Sequence, residues 1–164
     1  MPHFDTDTAA MRLAIEASRQ ALAAGDMPYG ATLLSPSGQV LLTERNRQVS
    51  TNDCTAHAEM VLVRRATDQL GAAALHGATV LASGEPCAMC AGALFWAGVG
   101  RVVYAAAQPD MAALLGGPLL PARAADLLGA AAPPVAVTGG VLADEALAVL
   151  RDAAGGPQLK PPRR

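Results

Sequence analysis

Four side chains are spaced for metal chemistry. His57 and Glu59 lie in TAHAEM at 55–60, and Cys87 and Cys90 lie in PCAMC at 86–90. One imidazole and two thiolates are donors that zinc accepts at ~2.0–2.3 Å, and three protein ligands leave the fourth tetrahedral position to water, as in catalytic rather than structural sites. A carboxylate two residues from the histidine can then move protons to and from that water. The chemistry expected is hydrolysis at a carbon that zinc-activated water can reach.

Each half of the pattern has an ordinary reading. A lone CxxC can be a redox pair or half of a four-ligand structural zinc site, and a histidine at a helix start is usually structural. HxE followed by PCxxC, each beginning a helix, is far more specific and points to catalytic zinc held by His57, Cys87 and Cys90. Cys54, the third of only three cysteines, is expected to be a small buried thiol beside the site and not a ligand. His3 and His76 are expected to be solvated.

These groups need elements to converge them. A stripe from Met11 to Leu22, with N-cap residues at 5–8 and Gly25 as its stop, predicts the first helix. GATLLS at 30–35 and QVLLTER at 39–45, joined by Pro36-Ser37-Gly38, predict a hairpin. The helix over 56–70 starts at His57, with apolar positions 60, 61, 63, 66 and 70. His57 and Glu59 stand about 200° apart on an ideal helix, so they can converge only above its open N-terminal end. A strand at 78–82 precedes a helix opened by Pro86, which sets Cys87 and Cys90 on one face where the helix dipole favours thiolates. Strand 101–107, helix 122–130, strand 135–139 and helix 143–154 complete the order αββαβαβαβα, an α/β fold with parallel crossovers and a mixed sheet.

Composition narrows the class. A chain of 164 residues suits one domain, read as 1–154 with a mobile tail at 155–164. Three cysteines, an odd number, do not make a disulfide framework, and no charged-then-apolar leader is seen, so a reducing, cytoplasmic setting is expected. The sequence is 52% apolar but has no run of ~20 apolar residues, so no membrane span is expected. A net charge of −2 gives no broad attraction to phosphate, and a nucleic-acid partner is not expected.

The sequence resembles the cytidine deaminase-like superfamily, in the branch of guanine deaminases and bacterial tRNA adenosine deaminases. The resemblance is carried by MPYGATLL at 27–34, the Asn46 loop, TNDCTAHAEM at 51–60, EPCAMCAGALFWAG at 85–98, RVVYAAA at 101–107 and GVLADEA at 140–146. It implies a three-layer α/β/α sandwich with a five-stranded mixed sheet, a homodimer, and zinc on His57, Cys87 and Cys90. It further implies that Glu59 carries protons between water, the ring nitrogen and the leaving amine, and that Asn46, Ala58 and nearby amides hold the substrate.

Departures from the branch bear on the substrate. Trp96-Ala97 stands where the tRNA enzymes resemble one another in Ser-Arg, and QPDMAALLGG at 108–117 lacks their lysine. FWAG at 95–98 is similar to the YWA of guanine deaminases and implies an aromatic, Trp96, near the pocket, with core or interface packing as the alternative. The acid that selects guanine has no match near Gly116-Gly117-Pro118. The expectation is a zinc-dependent hydrolase releasing ammonia from a guanine-type, cytosine-type or s-triazine base, or a nucleoside. The alternatives are a tRNA adenosine deaminase and an inactive binding module, the latter opposed by an intact Glu59.

Overall fold

A computed structural model of the chain describes residues 2–157, with side chains from residue 5 onward. Helix α1 (Pro2–Ala23) leads into β1 (Gly30–Leu34) and β2 (Val40–Arg45). Helix α2 (Ala58–Leu70) and a 3₁₀ turn follow, then β3 (Thr79–Gly84), α3 (Ala88–Trp96) and β4 (Arg101–Ala106). Next come α4 (Gln108–Leu115), α5 (Ala124–Gly129), β5 (Ala136–Gly139) and α6 (Ala143–Gly155).

The five strands form one mixed sheet in the order β2-β1-β3-β4-β5. β1 runs antiparallel to both β2 and β3, while β3, β4 and β5 are parallel. Successive strand residues face opposite cores. Leu33, Val80 and Val102 join α2, α3 and α5 on one side; Leu34, Leu81 and Val103 join α1, α4 and α6 on the other. This is the expected three-layer sandwich. Side chains such as Leu62 and Ile15 are completely buried, each worth about 1.5–3 kcal/mol relative to exposure.

Two features seat α1. Gly30 lies against its backbone: a Cβ there would overlap the Ala14 carbonyl oxygen and lie 2.7 Å from Ala17 Cβ and 2.8 Å from Ser18 N. Only glycine admits so close an approach. Asp7, expected to be an N-cap residue, instead accepts two 2.7 Å bonds from the Arg101 guanidinium at the start of β4. Helix α1 accordingly begins before the expected caps.

Residues 108–117, which the sequence reading gave no element, contain α4. Ala107 is its N-cap, Pro109 sits in its first turn and Gly116 ends it with φ 63°. Proline fits a helix's first turn because it forgoes only an amide that has no helical partner there. In α2 the buried face is Ala58, Glu59, Val61, Leu62 and Ala66, and Leu70 is exposed, a rotation from the expected stripe. His76 is exposed as expected. The side chain of His3 and most of the expected tail, 158–164, lie outside what is described. No helix among the described residues is long and apolar enough to cross a membrane.

Candidate metal centre

The sheet topology brings one set of chain segments to one edge. Because β1 is antiparallel to β3, its start (Gly30, preceded by Tyr29) lies with the ends of β2, β3 and β4, as the pairings Gly30 with Arg45 and Gly84 with Ala106 require. Asn46, the 84–87 turn and Gln108 therefore meet at the carboxyl ends of the parallel strands, where open α/β sheets place their sites.

His57 and Cys87 are the N-caps of α2 and α3, both in extended backbone conformation. Each thus stands over an open helix end. His57 Nδ1 lies 3.6 Å from Cys87 Sγ and 3.6 Å from Cys90 Sγ, and the three donor atoms all lie within 4.8 Å of one another. Zinc bonds of ~2.0–2.3 Å at a tetrahedral angle require donors about 3.5–3.8 Å apart. The donor set fits the ion, and it is the metal-ligating group of this kind found among the described residues.

Cys90 is completely buried and Cys87 and His57 half-buried. The bond shared with Cys90 is the chief cause that brings the Cys87 thiol down to about 4; burial opposes it and His57 assists it. Cys90 moves the other way, held protonated by its bond to Cys87, by burial and by Glu59. Bound zinc would hold both as thiolates. Glu59 is buried, with Oε2 3.6 Å from Cys90 Sγ. Burial raises its pKa, opposed in part by the charge on His57. A carboxyl so placed can both give and take a proton. His57 is raised as well: burial resists its charge, but Cys87 and Glu59 outweigh it.

The other expected site residues divide. Ala58 is fully buried as the first residue of α2, directly between His57 and Glu59. Asn46 is 1% exposed; its Oδ1 accepts from the Gln48 amide at 2.9 Å and its Nδ2 donates to Gln48 Oε1 at 2.8 Å. That is a turn-capping arrangement at the edge of the site. Trp96 is not brought to the centre. It ends α3, about 9 Å along the axis beyond Cys90, and is 84% exposed, edge-on to Phe95 at 5.0 Å.

Cys54 corrects one expectation: it is exposed, not buried. Asp53 Oδ1 accepts from both the Thr55 amide and the Thr55 hydroxyl, a tight turn around the thiol. It is absent from the metal-ligating group.

Three further groups were not singled out in the sequence. Tyr29 is pushed up to about 12 by burial and then by Glu59, and its ring, with Met111, covers Gly84 so closely that a Cβ there would lie 2.6 Å from Met111 Sδ and 2.9 Å from the ring. MPYG had marked the stretch but not the ring's place. Asp26, fully buried, accepts from Arg45 at 2.7 Å, from the Val49 and Ser50 amides at 2.9 and 2.8 Å, and from the Ser50 hydroxyl at 2.8 Å, fixing the loop after Asn46. Glu85, beside PCxxC, does comparable work for α4 and α5.

Two clefts lie elsewhere, one between α1 and β2 beside Glu44 and Arg65, the other beside Ser35 and Arg101. Neither includes a member of the metal-ligating group.

Comparison with known proteins agrees with this geometry. Residues 4–106 match the cytidine and deoxycytidylate deaminase zinc-binding region. A tRNA(Ile)-lysidine synthase of Deinococcus deserti is 42% identical over 87% of the chain, which spans only 26% of that protein. A probable cytosine deaminase of Schizosaccharomyces pombe is 35% identical over 87% of the chain and 89% of its own length. The solved structure of guanine deaminase from Nitrosomonas europaea superposes with a TM-score of 0.78 at 30% identity, covering 91% of this chain and 85% of the other. With the zinc-binding region matched through the last residue of β4, the chain belongs to the cytidine and deoxycytidylate deaminase family.

Proposed function

We propose that the protein is a zinc-dependent hydrolytic deaminase that releases ammonia from an amino-substituted free nucleobase, base analogue or nucleoside. The observation that carries this reading is the buried Glu59 carboxyl 3.6 Å from Cys90 Sγ, itself 3.6 Å from His57 Nδ1. Zinc held by His57, Cys87 and Cys90 supplies a Lewis acid that lowers the pKa of its water towards ~7.

The chain's own groups do the rest. Glu59 takes one proton from the attacking water at Oε2 and delivers it to the ring nitrogen as the C–O bond forms, then carries the remaining hydroxyl proton to the amine, so that the C–N bond breaks, ammonia leaves and a carbonyl remains. Its raised pKa matches a group that must hold a proton between steps. Asn46 and Ala58 hold the base, the Asn46 amide exchanging its Gln48 partner for the substrate. Tyr29 and Met111 give the flat ring an apolar wall and exclude water.

A small substrate suits the charge at this edge better than tRNA. Arg45 pairs with Asp26, Arg47 and Arg65 both with Glu44, and Arg64 with Asp53, so these cations are already occupied. Phosphate binding needs them free. The single domain over 1–154 acts in a reducing cytoplasm as a homodimer, with the exposed Trp96 covered by the second copy; sedimentation of the native protein against Trp96→Arg tests that assembly.

The decisive experiment sets ammonia release from free bases, nucleosides and s-triazines against inosine formation in an anticodon stem-loop, with the tail removed after Gly156 as a control. Turnover of a free base or nucleoside is expected. Tail-dependent deamination of the stem-loop alone would overturn the reading.

A further inference from the structure

The carboxylate of Glu85 is almost fully buried, and each of its oxygens is shared between elements. Oε2 accepts from the Gln108 amide at 2.8 Å and from Arg123 Nε at 3.1 Å. Oε1 accepts from Arg123 Nε at 2.8 Å and from the Ala124 amide at 3.1 Å. Gln108 is the first residue of α4 and Ala124 the first of α5. One carboxylate therefore satisfies a leading amide of two helices, where such groups lack helical partners and where negative charge is favoured.

The same residue precedes Pro86-Cys87, and its own amide donates to Ala106 O at 2.8 Å, tying the cysteine turn to the end of β4. The Gln108 side chain extends the connection by donating to Leu120 O at 2.8 Å, so the stretch between the two helices is held as well. What these helices touch gives the clamp its functional bearing. Met111 of α4 meets Tyr29 over Gly84, and Tyr29 O accepts from the amide of Asn46 at 2.9 Å. Leu128 of α5 packs in the same core as Ala91 and Leu94 of α3, the helix that carries Cys90.

We propose that Glu85 is a positioning residue for the deaminase reaction, acting through α4 and α5 to fix the Met111–Tyr29 wall of the substrate pocket relative to Cys87. It touches neither substrate nor metal. Its effect falls on how well the base is held in the ground and transition states alike, and so on KM rather than on kcat. The proposal rests on the deaminase reading for its kinetic consequence, but not for its structural one.

The test uses zinc-loaded, full-length Glu85→Gln, Arg123→Ala and Arg123→Lys proteins. In Glu85→Gln the side-chain amide turns a donor toward the donors it must satisfy. Amide exchange at Gln108 and Ala124 should accelerate about tenfold, the ratio set by one lost charge-assisted hydrogen bond. Exchange within α2 and zinc content should not change. KM for the best substrate should rise about tenfold with kcat within about threefold of native. Arg123→Ala, which leaves the Gln108 bond in place, should give a smaller rise in KM, and Arg123→Lys should restore most of it.

Faster exchange with an unchanged KM would reduce Glu85 to a structural cap and overturn the proposal, as would unchanged exchange. A fall in kcat at constant KM would also overturn it by assigning Glu85 to the reacting groups. If Glu85→Gln fails to fold, the Arg123 pair decides by the same two readouts. Exchange needs no substrate, so a native protein inactive on the whole panel but protected at Gln108 and Ala124 would refute the function and leave the clamp standing.

Discussion

Asp26→Asn removes one charge and almost no volume from a fully buried carboxylate near the site. Its two oxygens accept four bonds, two at Oδ1 from the Val49 and Ser50 amides and two at Oδ2 from Arg45 and the Ser50 hydroxyl. In asparagine the oxygen can keep the two backbone donors, and the Ser50 hydroxyl can turn to accept from Nδ2. Arg45 then faces a donor. A bond to a charged group contributes about 1.5–3 kcal/mol and a neutral one about 0.5–1.5. Losing one of the first kind and demoting two amide bonds to the second totals about 3.5–6 kcal/mol, reduced to about 2–4 kcal/mol because Arg45 is 21% exposed and also reaches Asn46 O at 3.2 Å. For a domain of this size that lowers Tm by about 5–15 °C.

Urea unfolding of zinc-loaded native and Asp26→Asn proteins at pH 7 measures the difference. Burial pushes the Asp26 pKa up, but the bonds from Ser50 and Arg45 outweigh it, so the folded value lies below the ordinary aspartate range. A depressed folded pKa means the stabilisation is complete above the unfolded value and is lost as pH falls through the folded one. The gap between the two proteins should therefore be constant from pH 6 to 8 and shrink below about pH 4. A gap under about 1 kcal/mol at pH 7 with unchanged m, or one that widens on acidification, would refute the reasoning.

Metal analysis should find zinc retained in Cys54→Ser and lost in Cys87→Ser; loss in both would make Cys54 a ligand despite its exposure. Glu59→Ala should keep zinc and fold while turnover of any panel substrate falls at least ~10²-fold, the lower range for a positioned acid–base group; full activity would end its proton-shuttle role. Gly30→Ala should destabilise by about 2–3 kcal/mol in the same urea assay, since the new methyl meets helix backbone that cannot rotate away; a neutral effect would mean that α1 is less firmly seated than Asp7–Arg101 implies.

The donor cluster was legible because coordination restricts residue type and helix starts restrict spacing. HxE and PCxxC meet both demands, and His57 and Cys87 are indeed N-caps. The stripe of α2 was misread because Glu59 faces inward, a polar residue on the buried side that periodicity counts as surface. Cys54 was misjudged because its exposure depends on the Asp53 turn, not on its own character. Helix α4 carried a signal, Pro109 in its first turn and Gly116-Gly117 after it, that the sequence reading left unassigned between the strand at 101–107 and the helix at 122–130. Asp26 and Glu85 were silent: their partners lie 24 and 39 residues further along and meet them only in the fold.

The central place of β3 has a kinetic consequence. Its neighbours β1 and β4 come from opposite sides of it in the chain, and the turn that carries Cys87 leaves from its end. His57 and Cys87 are 30 residues apart in sequence, so their donors meet only once the intervening helix and strand have folded back on each other. The expectation is that this triangle closes after the rate-limiting step of folding. A metal that binds a site absent from the folding transition state slows escape from the native state and leaves the approach to it almost unchanged. Chelation should therefore steepen the loss of protein by raising the unfolding rate, while refolding with and without zinc proceeds at nearly the same speed.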